Sequence, residues 1–306
     1  MSLVDALRYP EDPVRMFLYD QFPNTAPITR DARNWLKLTR TILPAQEIPW
    51  GTIGKALNIR IRYYYQTEPS ILEWSGFRNL NDDLRNVRCL PKEFQFIPGL
   101  FQEFSTSLTE TLKCLRPVGR RLEPPEEETL ARYCILLAAF QQWSPYRPYG
   151  SLLMLPKRKQ TFSGLLALVK PHWIDDLCKL SWLFYDRPYS PFAQSFSREA
   201  VFEAKFEGIG WANADLIVDS RLIEIKTTTR PKLERQWIYQ LIAYVLLDHT
   251  DSYRLHTAEI YMARQGWYCS WSLPGLLNTL HGDKIRSVHK LKMQFQKICQ
   301  RTILGH

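Results

Sequence analysis

A chain of 306 residues is long enough for one large domain or two ordinary ones, and 45% hydrophobic content is ample for a packed core. Lys and Arg outnumber Asp and Glu by 40 to 31, and the resulting charge of +9 suits a polyanionic partner without establishing one. Six scattered cysteines (Cys89, Cys114, Cys134, Cys178, Cys269, Cys299) form no C-x-x-C pair, and the histidines show no H-E-x-x-H spacing. A disulfide scaffold and the common zinc motifs are therefore disfavoured, and a reducing interior fits better. The opening Met-Ser-Leu-Val-Asp-Ala-Leu lacks the basic start and apolar core of a signal peptide. The longest apolar runs, such as 135–140, fall well short of a membrane span. The expectation is a cytoplasmic protein without a membrane partner.

The first half, 1–190, reads as mostly helical. Pro10, Pro13, Pro23 and Pro27 break its first thirty residues into short pieces. An amphipathic helix follows over 29–41, around Ala32, Trp35, Leu36 and Leu38. Pro49-Trp50-Gly51 opens a core helix over 51–66, with Ile53, Ala56, Leu57, Ile59 and Ile61 on its apolar side. The same stretch carries Lys55, Arg60 and Arg62, then Tyr63, Tyr64 and Tyr65. Basic and aromatic residues interleaved in this way can grip phosphate and stack on bases. A core helix with snorkelling arginines is the plainer alternative.

Further helical segments over 71–113 are broken at Pro91 and Pro98. A charged connector, basic at 116–121 and acidic at 126–128, leads into a helix over 126–142 with its acids favourably placed at the start. After a loop at 144–150, Lys157, Arg158 and Lys159 form a short basic patch, a candidate contact for a phosphate backbone. One more helix, over 173–185, ends at Asp186-Arg187-Pro188.

The pattern then changes period. Phe202, Ala204 and Phe206 alternate with Glu203, Lys205 and Glu207, as in a strand with one charged face. Two apolar runs flank Asp219-Ser220, the signal of a β-hairpin. A two-residue loop there pairs Val218 with Arg221 and sets Asp215 opposite Glu224, with Cβ atoms roughly 4.5–5.5 Å apart. A three-residue loop would make the two carboxylates diagonal neighbours instead. Lys226, two residues beyond Glu224, returns to the same face.

Pro231 introduces a helix in which Leu233, Trp237, Leu241, Tyr244 and Val245 recur at helical spacing, with Gln236, Gln240 and Tyr244 along one side. Strands are expected at 257–263 and 267–272, joined through Arg264-Gln265-Gly266. A helix over 284–303 sets Ile285, Val288, Leu291, Phe295 and Ile298 inward, and its Lys and Arg residues outward. The fold expected is α/β, a mixed central sheet flanked by helices. It occupies 191–273, with the helical region 1–190 before it and a basic C-terminal helix at 274–306 after it.

Two carboxylates side by side repel and are costly to desolvate unless a cation or a shared proton compensates. Mg²⁺ takes oxygen ligands and is commonly held by one or two carboxylates together with substrate phosphate. A neighbouring lysine can orient an attacking water or stabilise charge growing on a phosphate. A surface hairpin with Lys226 as an ordinary salt-bridge partner is the bland alternative.

With Asp215, Glu224-Ile225-Lys226 and Gln240-x-x-x-Tyr244 in place, and Gly210 leading the first hairpin strand, the chain resembles the PD-(D/E)XK nuclease superfamily in its RecB-like branch. The stretch 206–266, including Ala263-Arg264-Gln265-Gly266, also resembles a set of uncharacterised bacterial proteins with this core. The resemblance implies a restriction-endonuclease-like sheet and a metal-dependent nuclease acting on nucleic acid, most readily DNA. Asp215, Glu224 and the Ile225 carbonyl would hold Mg²⁺ or Mn²⁺. Lys226 would orient the attacking water, Gln240 would position substrate or Lys226, and Tyr244 would support the helix or touch the strand. Such nucleases often carry a further ligand upstream, but 51–66 has no His, Asp or Glu, so Glu203 and Glu207 (or Glu199) are the candidates. The rival expectation is a non-catalytic nucleic-acid-binding or complex-assembly protein on the same fold, and a protein partner is compatible with either.

Overall fold

The computed structural model describes residues 3–66, 95–142, 161–189, 200–206, 212–285 and 287–304. In chain order the helices are α1 (Leu3–Arg8), α2 (Pro13–Gln21), α3 (Ala26–Leu36), α4 (Trp50–Tyr65), α5 (Ile97–Leu115), α6 (Pro124–Gln141), α7 (Phe162–Ala167) and α8 (Pro171–Phe184), the last running into a π-turn at Tyr185–Tyr189. Strands β1 (Ala200–Lys205), β2 (Asn213–Val218) and β3 (Arg221–Lys226) follow, then α9 (Arg235–Leu247), β4 (Thr257–Met262), β5 (Trp267–Ser272), α10 (Leu273–His281) and α11 (Val288–Leu304). The chain forms two compact units, Met1–Thr41 with Phe196–His306, and Ile42–Ser195. Among the described residues no helix is long and apolar enough to cross a membrane.

The first unit is built on a five-stranded mixed sheet in the order β1-β2-β3-β4-β5. β1, β2 and β3 run as an antiparallel meander, β3 and β4 are parallel, and β4 and β5 are antiparallel. The parallel pair requires a crossover, which α9 supplies. The hairpin closes with the two-residue loop, since Val218 pairs with Arg221 and Leu216 with Ile223. Asp219 and Ser220 take φ values of 47° and 63°, the left-handed pair that a type I′ turn needs.

One core joins Ile217, Leu222, Ala258, Ile260 and Met262 of the sheet to α9, α10 and α11 and to Leu3, Leu7, Val14 and Leu18 at the start of the chain. The first forty-one residues thus pack with the sheet, where the sequence pattern had grouped them with the helical half. Their local signals are strong: Pro13 sits in the first turn of α2, and the Asp12 carboxylate accepts the Val14 amide at 2.9 Å. The C-terminal basic helix belongs to the same core through Leu291, Phe295 and Cys299. It starts at Val288, after α10, a helix the sequence reading did not separate out. Lys292 faces inward rather than outward, donating to the Asp248 carbonyl at 2.7 Å and to the Asp251 carboxylate.

The sheet carries a second charged cluster at β3, β4 and β5. The Glu259 carboxylate, fully buried, accepts from Arg221 Nε at 2.7 Å and from Ser270 Oγ at 2.8 Å. Arg221 and Glu224 are three residues apart on β3, so period-2 alternation puts this cluster on the face away from Glu224.

In the second unit α4 packs on α6 and α8. Its organising contact is a bidentate ion pair in which Arg60 donates from Nε and Nη2 to Glu127, both at 2.7 Å, with both side chains fully buried. The guanidinium lies 3.8 Å from the Tyr64 ring centroid, and Tyr64 Oη meets Ser181 Oγ at 2.8 Å. Burial, the largest single effect, lowers the Arg60 pKa, but the Glu127 charge and hydrogen bond together with Tyr64 and Cys134 outweigh it and the net shift is upward. Arg60 and Arg62 therefore do not form the phosphate grip expected from the sequence. Arg60 is committed to Glu127, and Arg62 is 7% exposed on the same helix. The predicted patch Lys157, Arg158 and Lys159 lies outside the described residues. Removing one partner of such a pair leaves an uncompensated buried charge, so Glu127→Ala should cost about 3–5 kcal/mol in urea unfolding. Replacing both Arg60 and Glu127 by apolar residues of similar volume should cost much less.

Candidate active site

The hairpin ladder ends at Leu216 and Ile223, and carrying its register one residue further sets Asp215 across from Glu224. The next amide in line, Ile225 N–H, donates to Asp215 Oδ2 at 2.8 Å instead of to the β2 main chain. The side chain thereby caps the splaying strands and fixes its carboxylate beside Glu224. Glu224 is only 3% exposed. Its Oε1 accepts from Lys226 Nζ at 2.7 Å, while Oε2 is buried with no hydrogen-bond partner.

α9 supplies the rest. Lys226 Nζ donates a second time to Gln240 Oε1 at 2.9 Å. Gln240 Nε2 donates to Tyr244 Oη at 2.9 Å, and the Tyr244 hydroxyl donates to the Asn213 carbonyl at 2.8 Å. One chain of hydrogen bonds therefore runs from Glu224 through the ammonium and the α9 amide to the start of β2. Gln240 and Tyr244 stand four residues apart, one turn along the same helix face, which is why an amide and a hydroxyl can meet. Burial pushes the Tyr244 hydroxyl well above its ordinary pKa, with the nearby Glu224 and Asp215 charges adding to the effect, so it remains a neutral donor. Phe206 stacks on Tyr244 with centroids 5.4 Å apart.

The ammonium has three donors, of which Glu224 and Gln240 take two, so one remains for a water or a phosphate oxygen. Trp237, one turn before Gln240, borders the same charge, its ring centroid 5.7 Å from Lys226 Nζ. The segment leaving Lys226 is held from the β4–β5 turn. Ala263 N–H donates to the Lys226 carbonyl at 2.8 Å, Arg264 Nε to that of Thr227 at 3.0 Å, and Gln265 Nε2 to that of Thr228 at 3.2 Å. Arg264 and Gln265 are buried, and their positioning role was missed in the sequence. Polar residues in a turn ordinarily face water, and nothing local marks these two as inward.

Asp215, Glu224, Ile225, Lys226, Gln240 and Tyr244 are thus brought together. Glu203 lies between the pairs Phe202–Leu216 and Ala204–Ala214, so register puts it across from Asp215. It adopts a left-handed φ of 50°, costly for a non-glycine residue within a strand. Among the described residues, no group of three His, Cys, Asp or Glu side chains able to hold an ion is found, so Glu203 does not complete one with Asp215 and Glu224. Glu207, Glu199 and Gly210 lie outside the described residues.

The donors that are present suit a hard divalent cation. Asp215 and Glu224 bring two carboxylates to the end of the β2–β3 ladder, and one oxygen of Glu224 is buried without a hydrogen-bond partner. Such a set matches the sparse protein ligation typical of Mg²⁺, which retains waters and substrate oxygens. Comparison with protein-family models, with curated proteins and with solved structures finds no match for this chain.

Two measurements probe the site. Mg²⁺ or Mn²⁺ at a hundredfold excess over Kd should add about 2.7 kcal/mol, a rise of roughly 5–10 °C in the melting temperature relative to EDTA. Glu224→Gln should remove that rise; an equal rise in the variant would place the ion elsewhere. Tyr244→Phe should cost about 1–3 kcal/mol in urea unfolding, because it strands the Asn213 carbonyl and the Gln240 amide.

Proposed function

We propose that this chain is a metal-dependent nuclease of the PD-(D/E)XK kind, hydrolysing phosphodiester bonds, most readily in DNA. The observation that carries the proposal is the bond of the Asp215 carboxylate to the Ile225 amide at the end of the hairpin ladder, beside a Glu224 that is tied to Lys226, itself held from the crossover helix by Gln240. An antiparallel three-strand meander followed by a helical crossover to a parallel fourth strand is also the arrangement expected of a restriction-endonuclease-like core.

In this reading Asp215, Glu224 and the Ile225 carbonyl hold Mg²⁺ or Mn²⁺, whose bound form supplies Lewis-acid charge and a more acidic water at the scissile phosphate. Lys226 directs its remaining N–H at the attacking water or at a phosphate oxygen, and stabilises negative charge as it grows there. Gln240 keeps the ammonium aimed, since its amide is anchored in turn by Tyr244. Asp215 is fixed before any substrate arrives by its bond to the Ile225 amide, which lowers the reorganisation needed during the reaction.

The competing reading, a fold kept for nucleic-acid binding or complex assembly, draws on the Lys226–Glu224 ion pair, which compensates the buried carboxylate without an ion. Activity separates the two. Linear and circular DNA, single- and double-stranded, should be degraded with Mg²⁺ or Mn²⁺ and spared in EDTA. Lys226→Ala should lower the rate by about 10²–10³-fold, the loss typical of removing one charge-stabilising donor. Cutting of closed circles would identify an endonuclease, and cutting of ends alone an exonuclease. DNA binding without cutting on every substrate would favour the competing reading.

A further inference from the structure

The loop that joins α10 to α11 is fixed through its backbone at both ends. Asn24 N–H donates to the Leu280 carbonyl at 2.9 Å, which latches the end of α10 to the turn after α2. Gly282 closes the helix with φ of 92°, and a Cβ there would come within 2.4 Å of Asn24 Nδ2. A side chain at that position would have to displace Asn24 and hold a strained backbone, so glycine is strongly favoured. Ile285 N–H donates to Asn278 Oδ1 at 2.8 Å, and Lys290 N–H to Ser287 Oγ at 3.2 Å where α11 begins. The His281 ring is held as well. Its Nδ1 stands 2.7 Å from the Gln21 carbonyl, which can only accept, so Nδ1 carries the proton and Nε2 is left for another partner.

These bonds frame a groove of about 1020 Å³ at the ends of α2 and α10 and the start of α11. Asp283, Lys284 and Lys290 line it with His281, Gln21 and Gln294, and only Ile285 and Leu291 of its lining residues are apolar. Among the described residues, none gives the side chain of Asp283, Lys284 or Lys290 a hydrogen bond or an ion pair. One hollow thus receives two ammonium groups, a carboxylate and an imidazole nitrogen, and folding uses none of them. The backbone that carries them is ordered before a ligand arrives, which lowers the cost of binding.

The chemistry of the lining narrows the ligand. Two ammonium groups against one carboxylate favour an anion, and phosphate oxygens accept strong charge-assisted bonds from lysine. Asp283 would repel a bare polyanion, but a carboxylate accepts readily from hydroxyl groups. No aromatic ring besides the imidazole is among the lining residues, so a nucleobase has nothing to stack on. The volume is at the top of the roughly 300–1,000 Å³ range of small-molecule sites. A polar lining in place of the usual apolar one suits a ligand that is polar all over.

We propose that this groove binds a small phosphate ester rich in hydroxyl groups, of the sugar-phosphate class. Lys284 and Lys290 hold the phosphate, while Asp283, Gln294 and His281 Nε2 take the hydroxyls. The site shares no residue with the carboxylate–lysine cluster and does not depend on the nuclease reading.

Equilibrium dialysis of the full chain against radiolabelled ribose 5-phosphate, in EDTA, tests the assignment. Saturable binding of one equivalent is expected, with inorganic phosphate and ribose each competing only at much higher concentration. Lys284→Ala with Lys290→Ala should weaken binding by at least about tenfold, the usual worth of one charge-assisted hydrogen bond. Both lysines are exposed, so the melting temperature of that variant should stay unchanged. His281→Asn keeps a nitrogen donor for the Gln21 carbonyl and removes Nε2, so it should also weaken binding without lowering the melting temperature. Absence of saturable binding below about 1 mM, the edge of useful affinity, would overturn the proposal. Equal affinity in the double lysine variant would do the same. So would a DNA strand that binds through the two lysines and is not displaced by ribose 5-phosphate.

Discussion

The sheet-bearing unit depends on a carboxylate held almost out of water. Glu224 is 3% exposed on a central strand, a position that is expensive for a charge unless something compensates it. Compensation comes from Lys226, two residues along the same strand and therefore on the same face, and Lys226 is held by Gln240 from the helix that makes the parallel crossover. The position of α9 over the sheet is thus tied to the electrostatics of β3. A shift of the helix by one residue would strand the ammonium, the Gln240 amide and the Tyr244 hydroxyl together. Packing of Leu241, Ile242 and Val245 resists that shift, so the apolar core and the polar network specify the same register.

The two buried glutamates of the sheet make an instructive contrast. Glu259 and Glu224 each have one oxygen with a cationic partner and one with none. An unpartnered oxygen therefore does not by itself mark an ion site. Glu259 is paired with arginine and also accepts from Ser270. A planar guanidinium of that kind locks geometry and does not give up its proton. Glu224 is paired with lysine, a compact charge with a donor to spare, and faces a second carboxylate across the strand. Adjacent carboxylates raise the electrostatic cost of the site, and lysine, unlike arginine, is a compact charge on a flexible stem that can be redirected. The difference in chemistry between the two faces comes from the partner on each, not from burial, which is nearly the same.

Much of this was legible in the chain because its signals are local. A two-residue hairpin loop sets the opposition of Asp215 and Glu224, and period-2 alternation returns Lys226 to their face. Helical spacing puts Gln240 one turn from Tyr244. Strand β5 was read with its observed bounds, and β4 to within one residue. What escaped depends on tertiary choice. The strand pattern extended β1 to Glu207, whereas the strand ends at Lys205 and carries a left-handed residue at Glu203, a backbone state that alternation cannot reveal. The placement of 1–41 against α9 and α11 is a long-range packing decision, invisible to any window of sequence. α10 did leave local marks: Pro274 in its first turn, Leu273, Leu276, Leu277 and Leu280 on one side, and Gly282 at its end with φ of 92°. Gly282 ends it before α11 begins at Val288, so two helices stand where the sequence pattern suggests one.

The basic excess of the chain shows how sequence charge and surface charge diverge. Arg60 stood out because it alternates with aromatics, yet that same pattern put it inside a helix packed on two others, where Glu127 neutralises it. Arg264 is equally buried and donates to a main-chain carbonyl beside the site, and Lys292 ties α11 to the loop after α9. These cations serve packing, and none of them is available to a polyanion. Exposed cations remain at Arg230 and Lys232 on the segment after β3 and at Arg235 at the start of α9. What the fold adds is the crossover, which brings Trp237 and Gln240 of the same helix to Lys226. A net charge of +9 reports that a polyanion would be attracted, and the fold decides where it could lie.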